Sequence, residues 1–301
     1  MVSPIQKIEL NNVNVSLYIK RDDLIHPLIS GNKFRKLKYN LNQAKIENHT
    51  TLLTFGGAFS NHILAVASAG YENNFKTIGI IRGDELIDKI YENPTLKKAQ
   101  ALGMHFKFVT REQYTNKCEP TFIERLKNEF GLFYLIPEGG TNNLAIKGCE
   151  EIISENNELF THICCSIGTG GTIAGIINSS SNNQQIIGFP SLKGEFISKE
   201  IGKFAIKTNW NIISEYHFGG YGKITEVLIR FMNDFYLKYK IPLDPIYTGK
   251  MMFGVMDLIS KSYFPNNSKI LVIHTGGLQG INGMNLLLKK QNKPTLNYHE
   301  N

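Results

Sequence analysis

Short apolar runs alternate with amphipathic helical stretches along almost the whole of this chain, and that alternation restricts it to parallel sheets flanked by helices. Thr51 to Gly57 (TLLTFGG) reads as a strand, with a helix from Ser60 to about Tyr71 after it. KTIGIIRG, HFKFVT and FYLIPEGG continue the strands, with helices in PTLKKAQALG (Pro94 at its start, Gly103 at its end) and TFIERLKNEFG. A helix is expected from about Asn143 to Glu155, then the strand THICCSI, the glycine loop Gly168 to Thr172 and the helix IAGII. The extended run Val13 to Ile19 and the stretches IIGFP, NIISEYHF, DPIY and KILVIHTGG supply further strands. Helical stretches such as ITEVLIRFMNDFYLKYK and MMFGVMDLISK separate them. The class is α/β, with open, mostly parallel sheets.

Several strands end in glycine plus small polar residues: GGAFSNH, PEGGTNN, IGTGGT and HTGG. Ligands bind beyond the C-terminal ends of strands in open parallel sheets, so these ends imply one shared pocket where two sheets meet. Lys33, in SGNKFRKL, falls where a turn becomes a helix, beside N–H groups with no partner inside the helix. Partial positive charge there favours a neutral amine, the form that attacks a carbonyl. Taken alone, Lys33, Arg35, Lys36 and Lys38 read as a solvated basic face.

Composition narrows the choice of ligand. The 33 Lys and Arg against 26 Asp and Glu give a net charge of +7, but the cations are scattered and form no dense block. That pattern argues against nucleic acid, and an anionic small molecule accounts for local positive charge equally well. No apolar run approaches the roughly 20 residues of a membrane span, and MVSPIQKIEL lacks the apolar core of a signal peptide, so a cytoplasmic location is expected. Cys118, Cys149, Cys164 and Cys165 form no C-x-x-C pair, so no zinc or other metal is expected and all four read as reduced structural thiols.

IGTGGT (Ile167 to Thr172) follows a strand and opens a helix, so its N–H groups can cradle a phosphate. A dinucleotide site wants a third glycine further on and an acidic residue about 20 positions later. Gly168 and Gly170 fit, Gly171 comes too early, and NSSSNNQQIIGFP offers no acid. A single phosphate is favoured over a dinucleotide; a glycine turn for close helix packing is the plain structural alternative.

A phosphate cradle, a lysine at a helix start and polar strand ends together suggest pyridoxal phosphate. The chain resembles the 1-aminocyclopropane-1-carboxylate deaminase/D-cysteine desulfhydrase family of pyridoxal-phosphate enzymes, which has the tryptophan-synthase-β-like fold. The resemblance rests on IKRDDL…GNKFRKL, TFGGAFSNH, PEGGTN, IGTGGT, GGYG, DPIYTGK and IHTGG, in that order from residue 19 to 277. It implies that Lys33 forms the Schiff base with the cofactor and then shuttles protons. It also implies that Asn61 bonds the cofactor's ring hydroxyl, and that Ser60 and His62 grip the substrate carboxylate. Gly168, Thr169, Gly170, Gly171 and Thr172 would hold the phosphate, and Tyr221 and Tyr247 would face the substrate.

Members that open the cyclopropane ring carry Tyr-Glu-Gly-Lys where this chain has Tyr247-Thr248-Gly249-Lys250, and desulfhydrase-like members carry threonine there and at Thr275. A carboxylate facing the cofactor's ring nitrogen deepens its electron sink, whereas a hydroxyl leaves it shallower. Thr248 and Thr275 therefore favour α,β-elimination from D-cysteine, giving pyruvate, sulfide and ammonia. The rival is deamination of 1-aminocyclopropane-1-carboxylate to 2-oxobutanoate. A non-catalytic amino-acid sensor is the alternative of another class. The resemblance further implies a homodimer, with a large domain of residues 1–35 and 143–301 and a small domain of residues 36–142.

Overall fold

The computed structural model describes residues 2–153, 159–194 and 196–298. The chain starts one sheet with β1 (Ile5–Ile8) and β2 (Ser16–Lys20). It crosses to a second sheet for β3 (Thr51–Gly56), β4 (Lys76–Arg82), β5 (Met104–Val109) and β6 (Tyr134–Ile136). It then returns to the first for β7 (His162–Ile167), β8 (Gln185–Pro190), β9 (Trp210–Ile212) and β10 (Lys269–Ile273). The six-stranded sheet runs β1-β2-β10-β7-β8-β9 and the four-stranded sheet β5-β4-β3-β6. All pairings are parallel except β1 with β2.

The continuous apolar character of β7 and β10 follows from burial on both faces. Ile163, Cys165 and Ile167 of β7, with Leu271 and Ile273 of β10, pack toward Ile173, Ile176 and Ile177 of the helix Gly171–Ser179. Cys164, Ile270 and Val272, on the opposite face, join Met251, Met252 and Val255 of the helix Thr248–Ser260. The small sheet divides in the same way. Leu52 meets Ile63, Leu64 and Val66 of the helix Asn61–Glu72, whereas Leu53 and Phe55 meet Phe122 and Leu126 of the helix Pro120–Phe130. Each such side chain contributes about 1.5–3 kcal/mol by leaving water.

Three helices stack where the two sheets meet. A Cβ on Gly148 would lie 2.0 Å from the Arg35 carbonyl oxygen, so only glycine lets the helix Asn143–Glu150 touch the helix Asn32–Ile46 there. A Cβ on Gly175 would lie 2.8 Å from the Ile146 oxygen, which joins the helix Gly171–Ser179 to the same stack.

Some expectations need correction. DPIY is not a strand: Asp244 accepts from the N–H groups of Tyr247 (2.7 Å) and Thr248 (2.8 Å), and this cap starts the next helix at Thr248. NIISEYHF contributes only its first part to Trp210–Ile212, and β1 was not anticipated. The helix expected to reach Glu155 ends at Glu150, and Glu155 lies outside the described residues. Arg35 and Lys36 are not on a solvated face: both are buried, and of the four expected there Lys38 is exposed, paired with Glu151 at 2.6 Å. The proposed boundary after residue 35 falls inside the helix Asn32–Ile46. No helix among the described residues is long and apolar enough to cross a membrane.

The IKRDDL stretch has a structural reason. Asp22 accepts from Arg35 Nε and Nη2, both at 3.2 Å, and from the Ser3 hydroxyl, while Asp23 binds Arg21 through Nη2 at 2.7 Å. Asp22 is fully buried, so its charge is tolerable only with these partners. Asp22→Ala should lower stability by about 3–5 kcal/mol, the cost of breaking a buried pair from one side, measured as a shift in the urea midpoint at unchanged slope.

Candidate active site

The glycine-rich strand ends converge on one cavity of about 540 Å³, within the usual size of a small-molecule site. Ser30, Lys33 and Lys36 line it from the first segment, and Gly57, Ser60, Asn61 and His62 from the end of β3. Glu138 and Gly139 follow β6, Gly168 to Gly170 and Thr172 follow β7, and Thr275 to Gly277 follow β10. Tyr221 and Tyr247 close one side. Of the expected site residues, Gly171 and Thr248 are not part of the lining. Gly171 is the first residue of its helix and backs onto Thr141 and Lys36. Thr248 is fully buried, its Oγ1 accepting from Asp244 N at 2.7 Å, so its hydroxyl is spent inside the helix start.

Lys33 is set by its neighbours. Gly31 precedes the helix with φ 61° and ψ −129°, and a Cβ there would lie 2.0 Å from the Thr275 oxygen. Asn32 N donates to that oxygen at 3.2 Å, and Asn32 Nδ2 donates to Thr172 Oγ1 at 2.8 Å. Lys33 Nζ donates to the Gly139 carbonyl at 3.3 Å. Its pKa is brought down to about 7, chiefly by burial of the amine and then by the charge of Lys36. Burial therefore does what the sequence reading assigned to the helix terminus. Lys36, three residues on along the same helix, is almost fully buried and donates to Gly139 O and Thr141 Oγ1, both at 3.0 Å. A spacing of three from Lys33 is the signal that could have found it.

Ser60 caps the helix Asn61–Glu72, its Oγ accepting from His62 N (3.2 Å) and Ile63 N (3.4 Å) and keeping its own proton to donate. His62 is buried, and burial, then Lys33 and Lys36, hold its pKa well below the ordinary value, so the ring is neutral. Thr54 Oγ1, which donates to Ile136 O at 2.8 Å, lies 2.9 Å from His62 Nε2, and the Pro137 carbonyl also acts on the ring as a hydrogen-bond acceptor. His62 lines the cavity, so a grip on a carboxylate would come from a ring nitrogen that carries the proton.

Tyr221 and Tyr247 meet edge to face with ring centroids 6.2 Å apart. Burial raises both phenols, Tyr247 far above its ordinary value, so both keep their protons and act as donors. Lys250 donates to the carbonyls of His217 (2.9 Å) and Gly220 (2.8 Å), which clamps the loop carrying Tyr221 to the helix that follows Tyr247. Behind the cavity, Asp244 is pushed up to about 6 by burial against three N–H donors. Thr275 Oγ1 borders the cavity 3.3 Å from Ser166 Oγ.

The donor set fits pyridoxal phosphate. Its aldehyde requires a neutral amine, which Lys33 supplies. Its phosphate requires N–H groups and a cation, which the loop Gly168–Thr172 and buried Lys36 would provide. Thr275 would face its ring nitrogen and Asn61 its ring hydroxyl.

Comparison with known proteins agrees. Residues 2–276 match the family described as pyridoxal-phosphate dependent enzyme. A putative 1-aminocyclopropane-1-carboxylate deaminase of Thermotoga maritima is 31% identical over 291 residues, covering 88% of this chain and 90% of its own. A mitochondrial bifunctional D-cysteine desulfhydrase/1-aminocyclopropane-1-carboxylate deaminase of Arabidopsis thaliana is 29% identical, covering 88% of this chain and 73% of its own. The crystal structure of an ACC deaminase homologue superposes with a TM-score of 0.76 at 29% identity, over 93% of this chain and 90% of that one.

The lowered pKa of Lys33 makes a direct prediction. Burial disfavours the ammonium, so the free amine is present above about pH 7. Uptake of pyridoxal phosphate by the stripped protein, followed by absorbance, should climb through that pH and level off above it. An ordinary lysine would go on gaining reactivity toward about pH 10.4.

Proposed function

The chain belongs to the pyridoxal-phosphate-dependent enzymes, and on that premise we propose that it carries out α,β-elimination on a small amino acid, D-cysteine, releasing pyruvate, sulfide and ammonia. The observation that carries this reading is the neutral-leaning amine of Lys33 in a cavity that Thr275 also lines, where its hydroxyl would be the neutral partner of the cofactor's ring nitrogen. When bound, pyridoxal phosphate supplies an electron sink for the substrate's α-carbon.

The chain's own residues do the rest. Lys33 Nζ, close to its pKa at neutral pH, is matched to taking a proton from the α-carbon and returning it elsewhere. The proton left on Ser60 Oγ, at the start of a helix, receives the substrate carboxylate. The phenols of Tyr221 and Tyr247 remain protonated and can donate to a departing sulfur. The shallow sink expected of a hydroxyl partner suits a thiolate, which leaves readily, better than an unactivated ring carbon.

Opening of 1-aminocyclopropane-1-carboxylate to 2-oxobutanoate and ammonia is the second reading, favoured by the names of the relatives in Thermotoga maritima and Arabidopsis thaliana. Neither position 248 nor position 275 offers a carboxylate to deepen the electron sink, and that stands against it. The resemblance adds a homodimer and a cytoplasmic location to the proposal.

The test is the holoenzyme with D-cysteine, L-cysteine and 1-aminocyclopropane-1-carboxylate side by side, reading keto acid and sulfide. D-cysteine alone should yield both, and Lys33→Ala should lose at least about 10²–10⁴-fold. Ring opening at a comparable rate would overturn the argument from the threonines.

A further inference from the structure

The anion sites already assigned leave two cations of the cavity without a task. Arg82 ends β4 and Lys117 follows the helix Arg111–Thr115, and both line the cavity on the side of the small sheet. Their acidic neighbour is occupied: Glu138 accepts from Tyr114 Oη through Oε1 at 2.8 Å and pairs with Lys117 through Oε2 at 3.3 Å. The other lining carboxylate, Glu200, pairs with Lys203 at 2.6 Å. Arg82 is exposed at the end of β4, its guanidinium lies over the Tyr114 ring at 5.8 Å, and among the described residues that group makes no hydrogen bond or ion pair. It stands close enough to Tyr221 for its charge to act on that phenol. The trio Arg82, Lys117 and Glu138 thus carries one excess positive charge in the lining of the cavity that Tyr221 also lines.

A thiol or a hydrocarbon ring makes no use of a guanidinium. A planar anionic group does, because it can take two parallel hydrogen bonds from the guanidinium fork. We propose that Arg82, with Lys117 beside it, receives an anionic oxo group on the substrate's side chain, a carboxylate or a sulfonate. The preferred substrates are then small amino acids with a second negative charge, and D-cysteine is a neutral surrogate. The inference rests on the preceding reading only in taking the cavity as an amino-acid site.

The experiment titrates the yellow holoenzyme with aspartate, its neutral isostere asparagine, cysteate and D-cysteine, using both enantiomers of the first three. The cofactor absorbance is read at each addition. Aspartate or cysteate should bind at least about tenfold tighter than asparagine. The ratio should fall to about one in Arg82→Gln and invert in Arg82→Glu. A preference for aspartate identifies a carboxylate and one for cysteate a sulfonate, and either supports the assignment. A ratio near one in the unaltered protein, or one that survives Arg82→Gln, overturns it while leaving the elimination reading intact. A spectrum unchanged by every amino acid, D-cysteine included, overturns both.

Discussion

The meeting of Gly31 with the Thr275 carbonyl sets where everything else in the site can be. Two main-chain segments touch there with no room for a side chain between them, and the backbone adopts a conformation that excludes other residues. One of those segments begins the helix of Lys33, and the other ends the central strand β10. The amine and the Thr275 hydroxyl come to one cavity because of that contact. Arg35, one turn into the same helix, is held by Asp22, so the helix is fixed by both sterics and charge.

The interior electrostatics follow from crowding cations of one sign. Lys33, Lys36 and His62 all have their pKa values lowered, first by burial and then, for Lys33 and His62, by the lysines themselves. Such a cluster stays folded by leaving part of its charge off. It is also the environment in which an arriving phosphate dianion gains most, since few water molecules compete for the donors. Two lysines three residues apart share this interior, Lys33 leaning neutral and Lys36 held between Gly139 and Thr141; the proposed chemistry would use the first as its free amine and the second toward the phosphate.

The fold and the centre of the site were legible because they rest on local signals. Short continuous apolar runs, several ending in glycine, marked most strands of both sheets, and polar residues after those runs marked the cavity. What stayed hidden depended on tertiary context. DPIY has the composition of a strand, but the reach of the Asp244 carboxylate to two N–H groups made it a helix cap. Thr248 lies in the right motif, yet the same cap turns its hydroxyl away from the cavity. Lys36 is buried and Lys38 exposed because the helix Asn143–Glu150 packs across one face, and the spacing of three from Lys33 is the one local hint of it. Arg82 and Lys117 sit in ordinary surface-like sequence and gain meaning only from the sheet that brings them to the cavity.

The stack built on Gly148 and Gly175 has a mechanical consequence. With backbone against backbone at Gly148, and against Cys149 Cβ and backbone at Gly175, the helix of Lys33 and the helix that opens at the glycine loop share a single chassis. Leu37 and Ala44 of the Lys33 helix also pack among Leu52, Ile63 and Leu64, so the four-stranded sheet is fastened to the same chassis. The architecture thereby keeps the amine, the glycine loop and the small-sheet wall of the cavity in one alignment.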